Sequence, residues 1–166
     1  MNWLKRLFDG KAKTETVKIK PSDRVSDSST ERVTAYLKSE EEKRLINRLE
    51  NINSSKTEKL NTAIFLASLL TSDSMKALWE SMDNDDVDIR NRCAISLGTI
   101  LLKRLIDEQP KIMEEIRQAD PDMKLMLFMI SCEKLISINI FNNRELSFAQ
   151  SDKVSTIVKL LMRNLS

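Results

Sequence analysis

The sequence predicts an all-α chain, and three observations carry that prediction. Two glycines and three prolines in 166 residues are too few for the tight turns of a β-fold. From about residue 29 onward apolar residues recur at intervals of three and four. Helix-start patterns punctuate that periodicity: Ser28, Ser39, Ser55 and Ser147 are each followed three residues later by Glu or Gln, the spacing of a capping box. The overall composition, 41% apolar and 31% charged, suits a soluble domain with a buried core.

The chain opens with an amphipathic peptide, residues 1–10. On a helix Trp3, Leu4, Leu7 and Phe8 share one face, and Lys5 and Arg6 lie opposite. Eight residues ending at Gly10 are too few for a stable isolated helix, so the segment must order against something else. Residues 11–28 read as a flexible basic linker of Lys, Thr, Ser and Asp with Pro21, which buries too little to offset chain entropy. Over residues 1–20, six Lys and Arg face Asp9 and Glu15, a local charge of +4. Residues 29–166 form the helical domain. Helices are expected over residues 29–51, with a break near Ser39, then 56–71, 74–82, 86–107, 110–119, 121–141 and 147–164. Asp120 is placed as an N-cap with Pro121 at the first helical position, and Pro110 starts the preceding helix. The short connections predict antiparallel neighbours.

The segment Ala94-Ile-Ser-Leu-Gly-Thr-Ile-Leu101 aligns with Ala63-Ile-Phe-Leu-Ala-Ser-Leu-Leu70 at an offset of 31 residues, and Arg90 then falls on Lys59. A looser copy pairs Asp120-Pro-Asp-Met-Lys124 with Asp86-Val-Asp-Ile-Arg90 at an offset of 34. A period of 31 to 34 residues with two helices per unit fits an α-solenoid.

Residues 86–100 also resemble the second half of a HEAT repeat. Ile89-Arg90 stand for its Val-Arg, Cys93-Ala94 for its Ala-Ala, and Leu97-Gly98-Thr99-Ile100 for its Leu-Gly-aliphatic end. Asp120, Pro121 and Lys124 resemble the entry of another unit, and the resemblance covers about residues 40–164. It implies a short right-handed solenoid of about four antiparallel helix pairs. It also implies that Arg90 bonds acidic groups of turns in adjacent units.

Physical reasoning reaches the same residues. Ala94 and Gly98 are one turn apart on one helix face, where small side chains let a neighbouring helix approach. Mid-helix glycine costs about 1 kcal/mol against alanine, a loss that close packing offsets. Asp85, Asp86 and Asp88 sit where the helix dipole favours negative charge. Met123, Met126 and Met129, with Phe128, read as a buried helix face rather than an adaptable recognition surface. Arg90, Arg92 and the Lys103-Arg104 pair could hold phosphates, but a solvated face is the preferred reading.

Histidine is absent, which removes the commonest general base and zinc ligand. Cys93 and Cys132 lie mid-helix and read as buried thiols. No nucleotide loop, nucleophile elbow or metal motif appears. The expectation is therefore a chain without catalytic, cofactor-binding or metal-binding residues. Its predicted function is a protein-binding adaptor in the cytoplasm, with the anionic inner face of a membrane as one candidate partner for residues 1–20. Three destinations stay open for Trp3 to Phe8: an anionic membrane, a partner protein, or the end of the solenoid itself. The alternative class is a nucleic-acid-binding or repair-associated solenoid, which a net charge of +2 does not favour.

Overall fold

The computed structural model describes residues 27–165, with side-chain surroundings from residue 34 to 164. The amphipathic peptide and nearly all of the linker lie outside the described residues. Seven helices make up the described part: α1 (Asp27–Glu50), α2 (Lys56–Leu69), α3 (Ser72–Ser81), α4 (Val87–Glu108), α5 (Pro110–Gln118), α6 (Pro121–Ile140) and α7 (Phe148–Leu165).

Local chemistry starts most of them. Ser55 and Glu58 form a reciprocal capping box at α2: the Ser55 amide donates to the Glu58 carboxylate (2.8 Å) and the Glu58 amide donates to Ser55 Oγ (3.3 Å). Ser147 and Gln150 do the same ahead of α7. Asp86 caps α4 by accepting from the amides of Asp88 and Ile89. Asp120 caps α6 identically through Asp122 and Met123, with Pro121 in the first turn. Pro110 likewise opens α5.

Two expected starts are not starts. Ser28 already lies inside α1, which is helical from Asp27 and so takes in the last two residues of the expected linker. Ser39 does not interrupt it, and α1 runs unbroken to Glu50. Glu40 to Arg44 are good helix formers, and a serine within such a run need not cap.

Two polar ties fix how α2 and α4 lie. At their N-terminal ends Lys56 of α2 pairs with Asp86 (3.0 Å) and Asp88. At their C-terminal ends Arg104 of α4 donates to the carbonyl of Leu70, which follows α2 (2.7 Å). The two helices therefore run side by side in the same direction. α7 runs along α4 in that direction too: Lys153 pairs with Asp83 just before α4 (2.9 Å), and Ile157 and Leu161 press on Gly98 further along.

α4 is thus the central helix, in contact with α2, α3, α5, α6 and α7. Its inward face supplies Ile89, Cys93, Leu97, Ile100, Leu101 and Leu105 to one continuous core. α7 packs on α4 more extensively than α6 does. The C-terminal end of α6 instead reaches α3, where Phe141 meets Trp79 edge-on at 5.6 Å. Lys153 lies over the same indole at 4.6 Å from its centre.

Candidate functional site

The residues singled out in the sequence separate into framework and surface. Gly98 is buried, and a Cβ built on it would sit 3.2 Å from both Ile157 Cγ2 and Leu161 Cβ. The close approach is therefore made by α7. Ala94, Leu97 and Ile89 are buried beside it.

Among the described residues Arg90 makes no bridge to acidic groups of another helix or its turn, contrary to what the HEAT resemblance implies. Its guanidinium folds back and donates to the carbonyls of Asn84 (2.8 Å) and Asp85 (3.0 Å) in its own entry turn. The ionic bridge from α2 to the start of α4 is made by Lys56, whose ammonium sits between the carboxylates of Asp86 and Asp88. That ammonium holds the Asp86 carboxyl below the usual carboxylate range, helped by the amides of Asp88 and Ile89. Lys59, which the repeat aligns with Arg90, is buried at 8% exposure.

The basic residues do not gather into one site. Arg104 is largely buried. It donates through Nη2 and Nε to the Leu70 carbonyl and through Nη1 to Asn139 Oδ1 (2.7 Å), which also accepts from the Ser72 hydroxyl. Leu70 has φ of 59°, a left-handed conformation that is costly for leucine, and Arg104 holds its carbonyl in that reversal. Arg92 and Lys103 instead point to a surface groove.

That groove, of about 460 Å³, lies between α2 and α4 and is lined by Ile64, Ala67, Leu70, Ile95 and Thr99 with Arg92 and Lys103 at its ends. Ile64 is 49% exposed, and the neighbouring Phe65 is 60% exposed. The hydroxyls of Ser68 and Thr99 donate back to Phe65 O and Ile95 O on their own helices. The floor is thereby left apolar. Lys103 has a distant neighbour in Asp107 (3.9 Å), and Arg92 has no ion pair or hydrogen bond within the described residues.

The methionine stripe divides. Phe128 is buried and Met129 is partly buried, while Met123 and Met126 are exposed with Ile130. The apolar circumference of α6 is wider than the core covers, so the expectation of a wholly buried face does not hold. Both cysteines are buried and unpaired. Burial pushes the Cys93 thiol up to about 12 against a small opposing effect of Lys59, and burial raises the Cys132 thiol as well. Such thiols are poor nucleophiles at neutral pH. No helix of the described residues is long and apolar enough to cross a membrane. Within those residues no group of three or more Cys, Asp or Glu is placed to hold a metal ion.

No protein-family model, curated protein or solved structure matches the chain significantly.

The groove itself is not visible in the sequence because the C-terminal half of α2 is apolar almost all round. Ala63, Ile64, Phe65 and Leu66 are consecutive, and only the placement of the neighbouring helices decides that Ala63 and Leu66 are covered while Ile64 and Phe65 are not. The available signal was a pair of basic residues, Arg92 and Lys103, sharing a face of α4 with Ile95 and Thr99.

Proposed function

We propose that the chain is a non-catalytic, HEAT-like helical scaffold that binds another protein in the groove between α2 and α4. The observation that carries this reading is the exposure of Ile64 across from Ile95 in a preformed groove. Apolar side chains gathered in a concave surface are the ordinary basis of a binding site. The repeat relation supports the solenoid part. Equivalent positions of the parallel helices α2 and α4 share their burial, Ala63 with Ala94 and Leu66 with Leu97. Asp86 and Asp120 cap their helices through the same pattern of amides. The last unit departs from a strict stack, because α7 lies along α4.

The test is affinity capture from the native host with full-length chain and with Ile95→Glu, each checked for helical content by circular dichroism. The reading expects a captured protein that survives nuclease treatment and is lost with the variant. Equal capture by both would overturn it. Capture abolished by nuclease would favour the nucleic-acid class.

We further propose that residues 1–10 attach this scaffold to an anionic membrane at the cytoplasmic face. Support comes from the segregation of Trp3, Leu4, Leu7 and Phe8 from Lys5 and Arg6, followed by a basic stretch. In liposome flotation the full chain should float with anionic vesicles and less so at high salt. Trp3→Ala with Phe8→Ala should remain in solution. A full chain that stays in solution would refute the attachment.

A further inference from the structure

The shape and charge of the α2–α4 groove narrow the class of partner, on the footing of the protein-binding reading above. The walls are two helices whose backbone groups are already paired within each helix. An extended peptide laid there would place its own amides and carbonyls against an apolar floor with nothing to bond. A helix satisfies its backbone internally and needs only side chains that fit between ridges.

The charges add a second restriction. Arg92 and Lys103 lie on one face of α4, eleven residues apart in sequence. At 1.5 Å of rise per residue they stand about 16 Å apart along the groove. Between them lie Ile95 and Thr99, with Ile64 across on α2. Because Ser68 and Thr99 are tied to their own backbones, the long polar groups at the groove are the two cations. A single-stranded nucleic acid would need a continuous cationic track with several stacking rings, which this floor does not offer.

We infer that the groove takes an amphipathic helix of a partner protein whose apolar stripe is bracketed by two carboxylates about eleven residues apart. The stripe covers Ile64 and Ile95. One carboxylate meets Arg92 and the other meets Lys103.

The test uses the full chain and three fluorescent probes: a stapled helical peptide with two glutamates at that spacing and leucines between them on the same face, the same peptide with lysines replacing the glutamates, and an oligothymidylate. The glutamate peptide should bind and the other two should not. Arg92→Ala and Lys103→Ala should each weaken it by up to about fivefold, as exposed ion pairs do. Arg92→Glu with Lys103→Glu should reverse the preference toward the lysine peptide. These are surface changes, and unchanged melting would show that folding is intact. The inference falls if the glutamate peptide does not bind, if the lysine peptide binds the native chain equally well, or if the oligothymidylate competes for the groove. Should it fall while Ile95→Glu still abolishes capture of a native protein, the scaffold reading stands with a different partner chemistry. If Ile95→Glu leaves that capture unchanged, the scaffold reading itself has failed.

Discussion

Replacing Gly98 by leucine sets two effects against each other at a close contact between α4 and α7. Leucine is a better helix former than glycine by about 0.8 kcal/mol, which favours the variant. A Cβ at this position already meets Ile157 and Leu161 at 3.2 Å, closer than ordinary contact, and the remaining atoms of a leucine would enter space those side chains fill. Overpacking of this kind costs about 1–3 kcal/mol, and this site belongs at the upper end. The net expectation is about 1–2 kcal/mol of destabilisation. At roughly 2–4 °C per kcal/mol for a chain of this size, thermal melting followed by circular dichroism should fall by about 2–8 °C. Gly98→Ala adds only the Cβ, so the propensity gain and the displacement should nearly cancel. A second arm uses Leu161→Ala, which alone should cost about 2–5 kcal/mol as a cavity in the core. On that background Gly98→Leu should cost less than in the native chain, a non-additivity of at least about 0.5 kcal/mol. Native-like melting of Gly98→Leu, or strict additivity with Leu161→Ala, would show that Gly98 does not face α7.

Arg104→Met should lose about 1–3 kcal/mol in urea denaturation, because the Leu70 carbonyl is left without its donor and Asn139 Oδ1 keeps only the Ser72 hydroxyl. Lys56→Met should reduce stability slightly at neutral pH and low salt. Asp86 has a depressed folded pKa, so its stabilisation is present above the unfolded carboxylate value and disappears as pH falls through the folded one. The variant and native curves should therefore converge in acid, and a difference that persists or widens there would contradict the pairing. Cys93 and Cys132 should react with a disulfide reagent only as the chain unfolds, quickly in denaturant and slowly in buffer. Rapid reaction of the native chain would mean that the core opens.

The sequence made helix type and most helix starts legible because the signals are local. Asp86, Ser55, Asp120, Pro110 and Ser147 act within one turn of themselves. The same local pattern misled at Ser28 and Ser39, where a capping sequence lies within a helix that continues. Partners across helices were less accessible. That Gly98 needs a close neighbour follows from glycine's cost in a helix, but nothing near residue 98 names α7, more than fifty residues later, as that neighbour. Arg90 follows an acidic turn in sequence, whereas Lys56 lies about thirty residues before it, and only the placement of α2 beside α4 gives the bridge to Lys56. The groove was hidden for a related reason. In a helix apolar on most sides, periodicity shows that residues bury somewhere, and tertiary placement decides which of them stay outside.

The central claim is that the face carrying Ile64 and Ile95 is where a partner protein sits. Site-specific photocrosslinking in the native host tests it most directly, with a benzophenone side chain at position 95 and, as control, at the exposed Lys111 on α5. The account predicts one discrete adduct from position 95, absent from position 111 and lost when Arg92→Glu and Lys103→Glu are added. Equal labelling from both positions, or a discrete adduct from position 111 alone, would contradict it.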